Sequence, residues 1–477
     1  MERKGLRYVG LMAFIPITLA VGAVLFALFY GEWKAAFAFL VLAAILTVAS
    51  LLLFRVAPRS ANISHHSALM VPLLGLLIII PPSALPYLWL SNVDPWSAVL
   101  EAVSGYVTCG ATVFGYGGFQ LIESLPRSLL FWRSATEWIG GIFLWLILGL
   151  LRAKQGSSLA RAWGMERPPF DMRTLARQVS VVYVGMTLTS AILLILFGPM
   201  SAFDALNHAM TALATGGFST RDAGLAFYNQ PGYRFDAILV LISLTSLAGM
   251  SSFVWLSSLF IRGHIGALLR DESYTVDRRE FALMFGLLLL LIGLMFSHYV
   301  WRKEFLPGAA FRQSAFYVIT SMSGTGFNIT DLSEWDAVTA LVLVVGVVIG
   351  GSSCSASGGL SLATLNDILS ALRKRIARKG RATALDVRES DALILAGLSM
   401  SLVIVSTILL LPIYGDRPLY AIVFQVAAAQ ANTGPQLLDL ATIPPLAKLL
   451  YTLLMVGGFR KYSLLIMIGQ RLISAAQ

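Results

Sequence analysis

The chain has 477 residues, of which 57% are hydrophobic and 13% charged, and its formal net charge is +10. A chain of this length with so few charges is too apolar to be a water-soluble protein, so the composition indicates a membrane protein. The basic excess could suggest nucleic acid, but cytoplasmic loops of membrane proteins are also basic, and we expect no nucleic-acid partner. The two cysteines, Cys109 and Cys354, do not imply a disulfide framework.

The N-terminal region, residues 1–66, is predicted to form two transmembrane helices. Arg3, Lys4 and Arg7 precede an apolar run at 9–30, which is longer than a signal-peptide core and has no convincing small-residue cleavage site. We therefore expect a retained helix, and a cleaved signal peptide is the alternative. A second apolar run follows at 35–54.

A short Thr-Gly turn, or a relative of it, recurs four times along the rest of the chain. The four glycines are 106, 110 and 108 residues apart, and each lies between two apolar runs of helical length. A period this long means that each copy belongs to a whole structural module. The sequence therefore predicts an all-α membrane protein with four tandem span/half-helix/span modules around a central pore, preceded by two extra transmembrane helices. We assign the modules to residues 67–173, 174–279, 280–388 and 389–477.

The segment before each turn is too short to cross a membrane. In module one, Asp94 is a predicted N-cap and Pro95 a first-turn residue, and the helix must end before Gly110. About 13 residues rise only about 20 Å, against about 30 Å of hydrocarbon. We therefore predict a re-entrant half-helix here and at 201–213, 307–323 and 416–430, each with the negative end of its dipole directed at a Gly turn.

Four such turns around one axis would form rings of backbone carbonyls, which select potassium-sized ions in cation channels. Gly115 lies in a Val-Phe-Gly-Tyr-Gly stretch that resembles the filter of tetrameric potassium channels, but choosing it breaks the even spacing, so we assign Gly110. We treat 115–118 as outer vestibule. The predicted ion-binding filter residues are Thr108, Cys109, Gly110, Ala214, Thr215, Gly216, Gly324, Thr325, Gly326, Asn432, Thr433 and Gly434.

The first spans of the modules are predicted at 69–90, 179–197, 281–300 and 392–411, and the second spans at 129–151, 237–261, 337–372 and 445–472. With the two N-terminal helices this makes ten crossings. The distribution of Lys and Arg between alternate loops favours cytoplasmic N- and C-termini. The half-helices then lie on the outer side of the membrane.

Several motifs resemble those of the potassium-translocating subunits of the bacterial Trk, Ktr and HKT superfamily, and most closely the TrkH type. They are Ala-Thr-Gly-Gly-Phe-Ser-Thr at 214–220, Asn-Thr-Gly-Pro at 432–435 and Thr-Glu-Trp-Ile-Gly-Gly at 136–141. The resemblance implies a non-enzymatic potassium uptake pathway in the bacterial cell inner membrane, with potassium as the transported ion and no organic cofactor. It also implies a homodimer, contact with membrane lipids and a TrkA-type cytoplasmic nucleotide-binding regulatory subunit.

A run of ten small residues interrupts the second span of module three. Glycine and serine disfavour a lipid-facing helix, and the corresponding loop of the family gates the pore from below the filter. Close helix packing is the alternative. The predicted gate residues are Gly350, Gly351, Ser352, Ser353, Cys354, Ser355, Ala356, Ser357, Gly358 and Gly359, together with Arg460 and Lys461, which we expect to hydrogen-bond this loop or otherwise to snorkel to the headgroups.

Two positions depart from the family pattern. Cys109 replaces the threonine of the other filter copies, and Gly458 stands where the family has an arginine in the last span. The alternatives are a sodium or ammonium pathway on the same scaffold, or a membrane-embedded enzyme. The enzyme has little support, because the five histidines are scattered and show no metal-ligand spacing.

Overall fold

The computed structural model describes residues 5–58, 65–115, 118–150, 172–262, 278–303, 305–332, 335–377 and 387–459, and these form α-helices with two short 3-10 turns and no strand. The helices are α1 (Gly5–Met12), α2 (Phe14–Phe29), α3 (Trp33–Val56), α4 (His65–Ser83), α5 (Leu85–Leu90), α6 (Pro95–Tyr106), α7 (Arg127–Leu150), α8 (Met172–Phe197), α9 (Ala202–Leu213), α10 (Phe235–Met250), α11 (Phe253–Arg262), α12 (Arg278–Trp301), α13 (Pro307–Ser323), α14 (Ala337–Ile349), α15 (Leu362–Ala377), α16 (Val387–Leu410), α17 (Leu419–Ala431) and α18 (Pro445–Phe459). The all-α architecture agrees with the prediction.

The N-terminal helices form a hairpin against module one. α1 and α2 continue each other as one apolar stretch, and α3 returns along them after a turn at Gly31, which has φ +70°. Glu32 in this turn accepts hydrogen bonds from the backbone N–H groups of Arg127 and Ser128 at 2.7 and 3.0 Å. The hairpin thereby caps the N-terminus of α7, where a carboxylate also favours the helix dipole.

Within the described ranges, the N-terminal helices and the first spans are single helices long and apolar enough to cross a bilayer unaided. In the described part of the chain these are Gly5–Phe29, Trp33–Val56, Val71–Leu90, Met172–Phe197, Arg279–Trp301 and Arg388–Leu410, and less than half of each apolar window is buried. The second spans instead contain charges or breaks. They are therefore suited to the interior of the protein, where other helices satisfy their polar groups.

The second span of module two is bent, which the sequence analysis missed. We expected one helix over 237–261, but α10 and α11 meet at an angle of 108° around Ser251 and Ser252. The Ser251 hydroxyl donates to the carbonyl of Leu247, a local bond that competes with helix geometry. In module three, α14 ends at Ile349 and α15 begins at Leu362, so the helix is interrupted at the run of small residues.

All four half-helices are present, at α6, α9, α13 and α17. Asp94 caps α6 as predicted, since its carboxylate accepts from the N–H groups of Trp96 and Ser97 at 2.9 and 3.1 Å, and Pro95 is the first residue. Ser201 caps α9 in the same way, through the N–H of Asp204.

The modules contact one another in a closed ring. Ile122 of module one donates to Asp222 of module two, and Leu225 of module two donates to the carbonyl of Asn328 in module three. Tyr420 of module four donates to the carbonyl of Trp335 in module three. Lys448 of module four then donates to Asp94 of module one at 2.9 Å. The four turns that follow the half-helices are therefore brought to a common centre.

Candidate functional site

Each half-helix ends in a residue with positive φ, which is a common helix terminus. The backbone N–H of each such residue donates to the carbonyl three residues earlier at 3.0–3.3 Å. These shared features define equivalent positions. The residues are Thr108, Thr215, Gly324 and Asn432, with φ angles of 55°, 57°, 94° and 54°. The equivalent triplets that begin there are Thr108-Cys109-Gly110, Thr215-Gly216-Gly217, Gly324-Thr325-Gly326 and Asn432-Thr433-Gly434.

In module two this structural register is one residue later than the sequence predicts. Ala214, which we expected to begin the triplet, has right-handed helical geometry with φ −71° and ψ −8°. Thr215 takes the first position, Gly216 the second and Gly217 the third. The Thr-Gly pair is a poor guide here because a further glycine follows it, and the chain turns where the backbone reaches positive φ.

Backbone carbonyls from three modules surround Gly434 of the fourth. A Cβ built on Gly434 would lie 3.1 Å from the carbonyl oxygens of Gly216 and Thr325 and 3.2 Å from that of Cys109. These three residues hold the second position of their triplets, so equivalent carbonyls face one central space. Such a ring of oxygens can replace the hydration shell of a cation.

A further set of carbonyls lies one residue earlier in the triplets. A Cβ built on Gly324 would lie 3.3 Å from the carbonyl oxygens of Thr215 and Asn432, and 3.8 Å from the backbone nitrogen of Gly358. The small-residue loop of module three therefore reaches the end of the triplets that is nearest the half-helices.

Little space is left for side chains at the third position of the triplets. A Cβ on Gly110 would overlap the carbonyl oxygen of Gly216, and a Cβ on Gly217 would overlap that of Thr325. Both glycines have positive φ, so the backbone conformation also favours glycine. A Cβ on Gly115 would meet nothing closer than 3.5 Å, and this glycine lies outside the convergence of carbonyls.

One position on each half-helix holds the strand that leaves the turn. It lies seven residues before the positive-φ residue, and it is occupied by Glu101, His208, Tyr317 and Gln425. Glu101 accepts from the N–H of Val113 at 3.1 Å, and Gln425 accepts from the N–H of Leu437 at 2.9 Å. The two hydrogen bonds join equivalent residues, since each acceptor lies twelve positions before its donor.

Modules two and three use different chemistry at this position. The Tyr317 hydroxyl accepts from the N–H groups of Ile329 and Thr330 at 3.3 and 2.9 Å. His208 contacts the Ser219 hydroxyl through Nε2 at 3.0 Å, while its Nδ1 lies 2.8 Å from the carbonyl of Asp204 and donates to it. Sequence reasoning missed these four residues because their types differ. Glu101, Tyr317 and Gln425 each lie nine residues before the predicted filter glycine of their module, which was a usable signal.

A buried ion pair lies behind the turns of modules one and two. The Arg133 guanidinium donates to Glu101 at 2.9 Å, and both side chains are at most 1% exposed. Arg133 also donates to the hydroxyl of Thr112 and the carbonyl of Ser219, and it stacks on the Phe218 ring at 4.1 Å. Satisfying several donors at once is what makes such a pair tolerable in a low-dielectric interior.

The small-residue loop is bound to the bend in module two. The N–H groups of Ser352 and Ala356 donate to the carbonyls of Met250 and Gly249 at 2.9 and 3.1 Å, and the N–H of Phe253 donates to the carbonyl of Cys354 at 3.2 Å. The broken helix thus exposes backbone groups that the loop satisfies.

The loop also lies close to the half-helix of module four. A Cβ on Gly358 would overlap the carbonyl oxygen of Ala431, so only glycine allows this approach. A Cβ on Gly458 of α18 would likewise overlap the carbonyl oxygen of Gln430. Arg460 and Lys461 lie outside the described residues.

Comparison with known proteins gives a family match over residues 85–467, to the TrkH family described as cation transport protein. The chain belongs to the TrkH family. TrkH-type relatives include the Trk system potassium uptake protein TrkI of Halomonas elongata, 33% identical over 289 residues, which are 58% of this chain and 53% of that protein. The Trk system potassium uptake protein TrkH of Escherichia coli K12 is 25% identical over 328 residues, 66% of this chain and 64% of that protein.

The TrkH fold is matched over the whole length. The crystal structure of the potassium transporter TrkH from Vibrio parahaemolyticus aligns with a TM-score of 0.83 and 22% identity, covering 98% of both chains. The sequence matches are shorter, since the chain spans about half to two thirds of the length of the curated relatives. The fold and the family are therefore established, and the chain is a multi-pass membrane protein of a cation transport family.

Proposed function

We propose that this chain takes up potassium across the bacterial inner membrane through a channel-like pore whose selectivity filter is formed by the four triplets. The observation that supports this most directly is the approach of the carbonyls of Cys109, Gly216 and Thr325 to Gly434. The names of the relatives, which are potassium uptake proteins of Trk systems, agree with it. The transported ligand is the potassium ion, with no organic cofactor in this chain.

The third position of every triplet is glycine, which favours potassium in this proposal. Side chains at Gly110 and Gly217 would collide with carbonyls of neighbouring modules, and one at Gly326 would collide with Pro435 of module four. Backbone oxygens then provide the coordination, and their number and position select the ion. Cys109 does not alter its backbone oxygen, and its Sγ lies 3.9 Å from the carbonyl of Thr433. Sodium and ammonium remain the competing ions to test.

We also propose that the loop from Gly350 to Gly359 gates the pore. Its Gly358 lies against the inner end of the triplets, and its hydrogen bonds to Gly249 and Met250 hold it there. Arg460 and Lys461 are proposed to hydrogen-bond this loop. The alternative, in which both cations snorkel to the headgroups, predicts that removing them leaves flux unchanged.

The assembly is part of the same proposal. We propose a homodimer with cytoplasmic N- and C-termini and lipid around the first spans, regulated by a TrkA-type cytoplasmic nucleotide-binding subunit. The number of copies of the chain per particle in detergent tests the homodimer. Co-purification from native membranes tests the TrkA-type subunit. The module boundaries at residues 66, 173, 279 and 388 are likewise predictions.

Rubidium uptake into liposomes by the purified chain tests the filter, with sodium and ammonium as competitors. We expect Gly110→Ala to reduce rubidium flux at least about 10-fold, because the new methyl group collides with the carbonyl of Gly216. The matched control is Gly115→Ala, which also places alanine at a positive φ but without that collision. Equal effects of the two substitutions, or a larger effect at Gly115, would rule out this filter assignment.

A further inference from the structure

Glu137 lies directly behind the filter strand of module two, although it belongs to the second span of module one. Its side chain is fully buried. Oε2 accepts a hydrogen bond from the backbone N–H of Phe218 at 3.1 Å, and Oε1 has no partner among the described residues. A Cβ built on Gly216 would lie 2.5 Å from Oε2 and 2.7 Å from Oε1. The carboxyl group therefore occupies the space that a side chain at position 216 would need.

The other modules carry a side chain at the position equivalent to Gly216. The residues equivalent to Gly216 are Cys109, Thr325 and Thr433. The Thr325 hydroxyl lies 2.9 Å from the Ser323 hydroxyl of the same module, so it braces its own turn. Gly216 has no such side chain. Its backbone would be freer than the other three unless something outside the strand held it.

Arg133 does not neutralise Glu137 by direct contact. Arg133 lies four residues earlier on the same helix, but its guanidinium donates to Glu101, Thr112 and Ser219. Within the described residues, the Glu137 carboxyl group accepts its hydrogen bond from the filter strand, at Phe218, and it lies against the Cα side of Gly216. This contact would fix the position of the Gly216 carbonyl, which faces Gly434.

We propose that Glu137 is a positioning residue that sets ion selection by holding the module-two filter strand, as a hydrogen-bond acceptor and as the replacement for the missing side chain at position 216. This rests on the proposed filter. Selectivity depends on where the carbonyl oxygens lie, so releasing one of four strands would relax discrimination between potassium and sodium before it abolished conduction.

Four variants of the 477-residue chain separate the two parts of this role. Glu137→Gln keeps an acceptor for the Phe218 N–H, whereas Glu137→Met keeps the volume without a comparable acceptor. We expect the ratio of sodium to rubidium flux in liposomes to stay within about 2-fold for Gln and to rise about 10-fold for Met. Gly216→Ala should reduce flux because its methyl group overlaps the carboxyl group, and adding Glu137→Ala should restore it.

Equal selectivity of Glu137→Met and the unmodified chain would overturn the proposal, as would a Gln variant as unselective as the Met variant. A double variant no better than Gly216→Ala would also count against it. Thermal stability in detergent checks that each variant is folded. If Glu137→Met does not fold, the selectivity of Glu137→Gln and the flux of Gly216→Ala with and without Glu137→Ala still test the proposal. Gly217→Ala serves as a reference for the filter assignment. If Glu137→Met and Gly217→Ala both leave flux and selectivity unchanged, the filter assignment itself is wrong.

Discussion

At the scale of single residues, four different side-chain types have the same role at the position seven residues before each positive-φ residue. Glu101, His208, Tyr317 and Gln425 all contact the strand that leaves the turn of their own module. A backbone strand in a pore has unpaired N–H groups on the side away from the ion. Glu101, Tyr317 and Gln425 accept directly from such N–H groups, whereas His208 contacts the Ser219 hydroxyl, which in turn accepts from the N–H of Arg221. These contacts keep the carbonyls directed at the centre.

Tyr317→Phe tests this task, because it removes the hydroxyl that accepts from Ile329 and Thr330 while keeping the ring. Leaving buried N–H groups unsatisfied should lower the free energy of unfolding by about 1–3 kcal/mol and reduce discrimination against sodium. The matched control is Tyr87→Phe, since the buried Tyr87 hydroxyl has no partner in the described part of the chain. Thermal melts in detergent and liposome flux measure both. Equal losses in the two variants would contradict the anchoring role.

At the scale of helices, the sequence predicted the features that depend on the length of a segment and on the period of the repeat. Four short segments between apolar runs gave the half-helices, and Asp94 followed by Pro95 gave the start of the first one. The bend between α10 and α11 could not be read in this way, because Ser251 and Ser252 also occur within straight helices. The bend depends on the loop of module three, which is distant in sequence and satisfies the carbonyls of Gly249 and Met250.

The prediction of the site from the sequence was incomplete for the same reason. The third-position glycines at 110, 326 and 434 were identified from spacing, but the shift to Gly217 in module two depends on backbone dihedrals. Glu137 was part of a recognised motif, yet its contact with Gly216 joins two modules and has no local signature. Spacing locates turns, whereas contacts between modules decide which residue of a turn reaches the centre.

A substitution at Gly358 tests the loop as a gate. A methyl group there would overlap the carbonyl of Ala431, so Gly358→Ala should displace the loop from the filter. We expect rubidium flux to rise about 5-fold, equivalent to about 1 kcal/mol in the gate equilibrium. Gly397→Ala is the control, because a Cβ there meets nothing within 4 Å. Lower flux at unchanged expression and melting temperature would contradict a gate that blocks the pore at rest.

At the scale of the whole molecule, the ring is closed where module four meets module one. Lys448 is 4% exposed, and its ammonium group contacts Asp94 at 2.9 Å and Ser97 at 2.7 Å. Burial alone would raise the pKa of Asp94, but hydrogen bonds from Ser97 and Lys448 outweigh it and lower the pKa to about 2. The stabilisation is therefore complete above the ordinary value of 3.8 and is lost as the pH falls through about 2.

Removing the charge of Asp94 and removing that of Lys448 should lower the free energy of unfolding by different amounts. Asp94→Asn keeps an N-cap acceptor for α6 but leaves a buried ammonium group without its counter-charge. We expect it to lower the free energy of unfolding by roughly 2 kcal/mol, less than the roughly 3–5 kcal/mol of a fully buried pair because Asp94 is about a third exposed. Lys448→Met should cost less, since water can solvate the remaining carboxylate.

Melts in detergent from pH 7 to pH 3 should show the Asp94→Asn deficit shrinking only below about pH 4. A Lys448→Met deficit larger than that of Asp94→Asn, or a deficit that does not change with pH, would mean that packing rather than charge closes the ring.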